Sequence, residues 1–272
     1  MQVAYSPLLA ALFFFVSSIL RFIVYIQYIN RTHYNEGLRL ELDPTHIEKE
    51  WQHRIDTEGL VNSAHILNAI AWVFFAIPIM QVAWILSRGG RRKVRTHGAI
   101  VGFALTGIIC EVISRFLVFG SKSAALWLAS SFNLDKWLPA GMYDGNDKIG
   151  WRALEVTYII MHGLTTYVDS FEWVCLFSIL VLILYSVGSM NNPVLSIWWA
   201  RFGLLVAFLC LFDLASSIIL IFDRHTYTKF AVGISIINML LFLPAWLTML
   251  AFQLPKALPN YVPARDTEPT RV

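Results

Sequence analysis

Seven ionisable side chains lie within long apolar stretches of this sequence, where a charge is costly to bury. They are Arg21, Glu111, Arg115, Glu155, Asp169, Glu172 and Asp213. In the hydrocarbon core of a membrane such residues are rare; they pair with one another or mark the path of an ion or a solute. These seven residues are therefore the first candidates for a functional site.

The depth of these residues in their apolar stretches follows a pattern. Depth is counted from the predicted cytoplasmic end of each stretch, at about 1.5 Å per residue. On this scale Arg21, Glu111, Glu172 and Asp213 lie at roughly 20–25 Å, and Arg115 and Asp169 lie slightly further. Glu111 and Arg115 are four residues apart and can pair on one helix face. Two interpretations stay open: structural ion pairs, or an acidic, water-accessible cavity that opens outward. Four acids against two bases favour a cation as the occupant of such a cavity.

Three histidines form a second candidate constellation. His65 begins the second apolar stretch on the predicted outer side, and His162 lies in the outer part of the fourth. His97 begins the third stretch on the inner side. Histidines on facing helices at equal depth can ligate haem b, whereas a lone histidine in a membrane often only hydrogen-bonds a neighbouring helix. His65 and His162 are thus a candidate pair of haem ligands, with the hydrogen-bonding role as the alternative.

The apolar stretches that carry these residues predict an all-α, polytopic transmembrane helical bundle. The chain is 57% hydrophobic and 14% charged, whereas about a quarter of the residues in a soluble domain are charged. Backbone groups without water are satisfied within helices. Six spans, long enough to cross about 30 Å of hydrocarbon, are predicted at residues 7–29, 60–86, 97–119, 155–187, 195–222 and 230–253. They form a single domain over residues 1–253, and a Pro-rich tail follows at 254–272.

Three further helical features are predicted outside or beside the spans. Asp43 and Pro44 are typical of a helix start, and that helix can run directly into the second span. Residues 123–132 suit a short interfacial helix within the long loop 120–152. A continuous helix from Trp151 to Val187 would be about 55 Å long. That is too long for one crossing, so its first part is predicted to leave the membrane or to lie along the interface.

The loop charges predict the orientation of the bundle. Residues 87–97 carry five Arg or Lys residues and no acid, which places this loop in the cytoplasm. The loop 30–59, with seven acids against four bases, is then outside, as is the loop 120–152. Both termini are cytoplasmic, and the first span, without a cleavable signal pattern, acts as a signal anchor. Asn30 begins an Asn-Arg-Thr glycosylation sequon on the outer side, although the tripeptide can also occur by chance.

A run of residues in the second and third spans resembles the cytochrome b561 family. The run is ILNAIAW at residues 66–72, followed by Pro78 and by a basic loop that leads to His97. The resemblance implies six helices with cytoplasmic termini and haem-based electron transfer across the membrane. It also implies that His65 pairs with His162 on the outer side, and His97 with a residue of the fifth span. That span has no histidine, and Arg201 stands at the comparable depth.

Three classes of function remain open from the sequence. The first is a b561-like protein that holds one haem b. The second is a transporter, channel or receptor whose site is the acidic cluster. The third is a non-catalytic subunit that contributes helices to a larger membrane complex. The net charge of +3 gives no reason to expect nucleic acid as a partner. The expected partners are the lipid bilayer of a plasma membrane or endomembrane and other membrane proteins, and enzymatic activity is not expected.

Overall fold

The computed structural model describes residues 3–32, 44–87, 91–131, 164, 168, 170–190, 193–222 and 233–257. Within these residues the chain is helical, and the prediction of an all-α bundle is confirmed. Six helices are long and apolar enough to cross a membrane. We number them α1 (Tyr5–Thr32), α2 (Pro44–Ser87), α3 (Arg91–Ser131), α4 (Ser170–Gly188), α5 (Ile197–Phe222) and α6 (Gly233–Ala257).

Helices α2 and α3 extend well beyond the apolar segments that predicted them. Helix α2 begins at Pro44 and continues without a break into the second span, as the Asp43-Pro44 signal predicted. Pro fits the first turn of a helix because its missing N–H would have no partner there. Helix α3 runs for 41 residues to Ser131. The prediction of a separate short helix at 123–132 is therefore wrong, because residues 119–131 contain no proline to end helix α3.

The aromatic core joins α1 to α2 at the middle of the bundle. Phe14 is buried and contacts the rings of Trp72 and Phe75 edge-on, with ring centroids 6.0 and 6.2 Å apart. Edge-to-face geometry places the positive ring edge on the negative ring face and stabilises such pairs beyond simple burial. Helix α1 also packs against α6, and α2 packs against α3. On α3, Gly107 lies close to Trp72 and to Cys175 of α4, which brings α4 against the same core.

A second aromatic contact joins α5 to α6 towards the other end of these helices. The rings of Trp199 and Trp246 stack with centroids 4.7 Å apart, and the indole N–H of Trp199 donates a hydrogen bond to the Trp246 carbonyl group at 3.1 Å. Both side chains are fully buried. Gly203, one turn along α5, lets the two helices approach because an added Cβ would lie 2.8 Å from Nε1 of Trp246.

The outer surface of the helices is apolar. Large side chains such as Phe116, Phe208 and Leu241 are more than half exposed along the apolar spans. Exposed apolar area of this extent is unfavourable in water and is the surface that lipid tails cover. Together with the six apolar helices, it identifies a multi-pass integral membrane protein.

Helix α6 contains a local change of hydrogen-bond register. A π-turn occupies Asn238–Phe242, and the N–H of Leu243 donates to the carbonyl group of Asn238, five residues earlier. Pro244 follows directly and is buried. Proline has no N–H and its ring clashes with the carbonyl group one turn earlier, so the wider turn accommodates it. π-Turns of this kind occur frequently at functional sites.

Candidate functional site

Polar side chains converge at one end of the bundle. At this end the apolar segments of α2, α4 and α6 begin, and those of α1, α3 and α5 end. We name this group the polar layer, and every one of the six helices contributes to it. Its members are Arg21 on α1, His65 and Asn68 on α2, Glu111 and Arg115 on α3, Glu172 on α4, Asp213 on α5 and Asn238 on α6. The polar layer lies within the segments that can span the membrane.

The centre of the polar layer is an ion pair on α3. The guanidinium group of Arg115 donates two parallel hydrogen bonds to the carboxylate of Glu111, from Nε to Oε1 at 2.8 Å and from Nη2 to Oε2 at 2.9 Å. This two-point contact is the strongest geometry for an arginine and a carboxylate. Asn68 of α2 adds a third hydrogen bond, from Nδ2 to Oε1 of Glu111 at 2.5 Å. The predicted pairing of Glu111 with Arg115 is confirmed, and the carboxyl group of Glu111 is ionised in this arrangement.

His65 is bound by the same arginine. Nη1 of Arg115 lies 2.6 Å from Nδ1 of His65. A guanidinium group can only donate hydrogen bonds, so Nδ1 must carry the accepting lone pair. The proton of the neutral imidazole ring is then on Nε2. His65 is therefore an uncharged acceptor that ties α2 to the α3 ion pair.

Arg21 and Glu172 extend the polar layer to α1 and α4. Arg21 is close enough to Glu111 to interact with it electrostatically, and the carboxyl group of Glu172 is close enough to Glu111 for a side-chain hydrogen bond. Glu172 is also within electrostatic reach of Cys175 and Cys210. Glu172 thus stands between the α3 ion pair and helix α5.

Asp213 and Asn238 form the part of the polar layer that joins α5 to α6. Nδ2 of Asn238 donates to Oδ2 of Asp213 at 3.3 Å and lies 3.5 Å from the sulfur atom of Cys210. Both residues are almost completely buried, Asn238 at 0% and Asp213 at 3% exposure. Asn238 is the first residue of the α6 π-turn. Because Arg21 and Asp213 lie at the same depth in their apolar stretches, Arg21 is also predicted to pair with Asp213.

The charges of the polar layer are unequal. Among its described residues, two guanidinium groups, on Arg21 and Arg115, face three carboxyl groups, on Glu111, Glu172 and Asp213. Arginine stays charged in proteins, and an uncompensated charge in the membrane interior is strongly unfavourable. One added positive charge, a proton or a monovalent cation, brings this set to neutrality.

The structure brings together most of the residues that the sequence singled out. Glu111 contacts Arg115 directly and is within reach of Arg21 and Glu172, and Glu172 and Asp213 are both within electrostatic reach of Cys210. Three candidates fall outside the described residues: Glu155, Asp169 and His162. The side chain of the sequon residue Asn30 is likewise outside the described part, although its backbone belongs to α1.

The inner-side histidine is separate from the polar layer. His97 lies near the start of α3, at the opposite end of the bundle, and its Nδ1 atom is buried without a hydrogen bond among the described residues. Arg201, which stands in the fifth span where the family resemblance places a partner, is exposed on α5. Its guanidinium group lies 4.9 Å from the centre of the Trp198 ring. Arg201 therefore projects to the surface of the bundle.

The contact of His65 with Arg115 bears on the hypothesis that His65 is an axial haem ligand. A ligating histidine coordinates iron through an unprotonated nitrogen and donates its other N–H to an acceptor. In this structure Nδ1 of His65 faces the donor Arg115, so Nε2 carries the proton and has no lone pair for iron. The proposed partner His162 is outside the described residues, and haem binding by that histidine stays a prediction.

Two residues of the polar layer were missed by the sequence argument, Asn68 and Asn238. Both are uncharged amides, and the search considered only ionisable groups and histidines. For Asn238 the signal in the sequence is Pro244, inside the sixth apolar stretch. A proline inside a helix disturbs the preceding turn, and Asn238 lies in that turn. An inventory of all hydrogen-bonding side chains within the spans would have found both residues.

The fold and the site together define an integral membrane protein whose described residues form six apolar helices, with a polar layer at one end of the bundle. No protein-family model, curated protein or solved structure matches the chain.

Proposed function

We propose that the protein carries a monovalent cation or a proton across its membrane and that the polar layer is the ion site. The observation that supports this proposal is that three carboxyl groups and two guanidinium groups, from four helices, belong to one polar layer within the segments that can span the membrane. Ionisable side chains inside membrane spans pair with one another or line the pathway of an ion or a proton.

Glu172 and Asp213 are the two carboxyl groups expected to exchange the ion. Glu111 is held ionised by Arg115 and Asn68, with three hydrogen bonds. A hydrogen bond between the carboxyl groups of Glu172 and Glu111 requires a proton on one of them, and Glu111 is the group that Arg115 holds through both of its oxygen atoms. Glu172 is therefore the carboxyl group expected to carry that proton.

Haem-based electron transfer and a purely structural role in a larger complex are the competing hypotheses. The contact between Arg115 and His65 supports the ion hypothesis over the haem hypothesis, because Nδ1 of His65 accepts from Arg115 and the ring proton is then on Nε2. A purely structural subunit moves no ions alone. Its wild type would show no ion flux, and neutral replacements of Glu172 and Asp213 would leave that result unchanged.

The test is ion flux in proteoliposomes that contain the purified full-length chain. Sodium, potassium and proton gradients are imposed separately, and flux is followed with an internal ion-sensitive dye. We expect flux of at least one of these ions in the wild type, and flux at the level of empty liposomes in Asp213→Asn and Glu172→Gln. Gln81→Ala is the matched control, because Gln81 lies further along α2, beyond the polar layer. Flux that is absent in the wild type, or equal in all four proteins, would refute the proposal.

A further inference from the structure

The end of the bundle opposite the polar layer carries positive charge and no acidic side chain. The N–H of Ser196 donates to Oε1 of Gln253 at 2.9 Å, and the N–H of Ala4 donates to the carbonyl group of Ala251 at 2.9 Å. These contacts bring the starts of α1 and α5 together with the end of α6. The sequence stretches that contain the helix ends on this side have no Asp or Glu; they are residues 1–35, 59–110, 173–212 and 224–265. A cation at this end has no carboxylate side chain in these stretches to pair with.

Arg201 is such a cation, and it lies near the start of the fifth apolar span. Its side chain is exposed, and no ion pair joins it to another described residue. Its guanidinium group lies 4.9 Å from the centre of the Trp198 ring, which belongs to a residue three positions earlier and 71% exposed. The side chain therefore points back towards the start of α5, the direction in which an arginine reaches the membrane interface. Tryptophan is itself favoured at the level of the lipid headgroups.

The same face of α5 continues as an apolar stripe. From Trp198 and Arg201 the stripe runs through Leu205, Phe208 and Phe212, at alternating spacings of three and four residues, which places all five side chains on one helix face. The three apolar side chains are exposed, and the rings of Phe208 and Phe212 pack edge-on with centroids 5.2 Å apart. From Arg201 to Phe212 the helix rises by about 16 Å. That length matches one leaflet, half of the roughly 30 Å of hydrocarbon.

We infer that Trp198 and Arg201 bind the headgroup of one anionic phospholipid, whose acyl chains lie along Leu205, Phe208 and Phe212. A guanidinium group matches the oxygen atoms of a phosphate group and forms charge-assisted hydrogen bonds with them. Basic surfaces of membrane proteins select anionic headgroups in this way. The inference is independent of the proposed ion function, because it uses none of the residues of the polar layer.

Two other occupants fit this surface less well. A zwitterionic lipid with a choline group would bring a second cation to an end of the bundle that already lacks acids. An acidic segment of a soluble protein would pair with Arg201 but would leave the apolar stripe, which continues into the membrane span, without a partner. An anionic phospholipid matches both the charge and the stripe.

The direct experiment is native mass spectrometry of the detergent-purified full-length chain, titrated with dioleoylphosphatidylglycerol or with dioleoylphosphatidylcholine. We expect one phosphatidylglycerol to bind first, about tenfold more tightly than phosphatidylcholine. Arg201→Gln should weaken the binding of phosphatidylglycerol by about tenfold and leave that of phosphatidylcholine almost unchanged. Trp198→Leu keeps the charge and should weaken binding by a smaller factor. Glycerophosphoglycerol, the headgroup without acyl chains, should not displace the lipid.

Arg95→Gln is the matched control. Arg95 is exposed near the start of α3, at the same end of the bundle, so its replacement removes the same charge without touching the Trp198 contact. Its effect on phosphatidylglycerol binding should be less than about twofold, because exposed charges at a distance are screened. Both arginines are exposed, so all variants should unfold at the temperature of the wild type in detergent alone. Added phosphatidylglycerol should raise that temperature in the wild type and in Arg95→Gln, and less in Arg201→Gln.

Three results would overturn the site. The first is equal binding of the two lipids by the wild type. The second is an equal loss of phosphatidylglycerol binding in Arg201→Gln and Arg95→Gln, which would reduce the effect to general positive charge. The third is binding of a hexaglutamate peptide that depends on Arg201 while lipid binding does not, which would assign the surface to an acidic protein partner.

Discussion

The guanidinium group of Arg115 lies 2.6 Å from Nδ1 of His65, and this contact joins helix α2 to helix α3. The same guanidinium group holds Glu111 with two hydrogen bonds. One arginine therefore neutralises a buried carboxylate and fixes the tautomer of a histidine at once. The contact makes His65 a structural member of the polar layer with its proton on Nε2.

This tautomer gives a prediction for haem. We expect the protein, expressed with haem supplied and purified in detergent, to show no Soret band, because Nε2 of His65 has no free lone pair while Arg115 donates to Nδ1. The measurement is the absorption spectrum of the wild type. A b-type spectrum that disappears in His162→Ala and persists in His97→Ala would contradict this expectation and would support the b561-like hypothesis.

A second prediction concerns the stability of the ion pair. Arg115→Met leaves the Glu111 carboxylate buried without its counterion and should lower the free energy of unfolding by about 3–5 kcal/mol. The double variant Glu111→Gln/Arg115→Met should recover much of this loss, because no buried charge is left alone. Unfolding in detergent, followed by circular dichroism, measures both.

The control for this pair is Arg95→Met, because Arg95 is exposed near the start of α3 and its replacement should change stability by less than about 0.5 kcal/mol. Losses that simply add in the Glu111/Arg115 double variant would show that the two side chains do not stabilise each other.

A third prediction concerns the close approach of α5 and α6. In Gly203→Ala the new Cβ would lie 2.8 Å from Nε1 of Trp246, so the stacked tryptophan pair must shift. We expect a loss of about 1–3 kcal/mol, the usual cost of overpacking. The control is Gly102→Ala on α3, where an added Cβ meets nothing within 4 Å. That replacement should stabilise the helix by roughly 0.5–1 kcal/mol. Equal effects of the two replacements would contradict the tight packing.

The depth pattern predicts from the sequence which polar residues share a level. Residues as far apart as Arg21 and Asp213 fall at one depth because each helix rises by a constant amount per residue. The i, i+4 spacing was enough to pair Glu111 with Arg115. These inferences need only the regular geometry of a single helix, so a sequence supplies them.

The contacts between helices were not predictable in the same way. The partners of His65 and Asp213 depend on how each helix is rotated about its axis, and hydropathy carries little information on rotation when all faces of a helix are apolar. The contact of Arg115 with His65 is one that the sequence argument does not predict. The π-turn at Asn238 was hidden because a disturbed helix turn keeps the same apolar composition as a regular one.

A fourth prediction concerns the orientation of the bundle. The basic loop 87–97 should be cytoplasmic, because moving five cations across the bilayer is unfavourable. A cysteine introduced at Arg92 should react with a membrane-impermeant thiol reagent only after permeabilisation, and an epitope tag near Asn35 should be detected on intact cells. The control is the protein with its three natural cysteines and no added one. Labelling at position 92 from outside would reverse the orientation of the whole bundle.

The most direct test of the ion site is charge displacement in membranes that contain the protein. Proteoliposomes are adsorbed to a solid-supported membrane, and sodium, potassium or protons are added rapidly from one side. Because the polar layer lies within the membrane-spanning segments, we predict a transient current in the wild type as a cation or proton enters. The current should be absent in Asp213→Asn and unchanged in Gln81→Ala. A wild type that gives no current with any of the three ions, or an Asp213→Asn variant that gives the wild-type current, would contradict the proposal that the polar layer binds the transported ion.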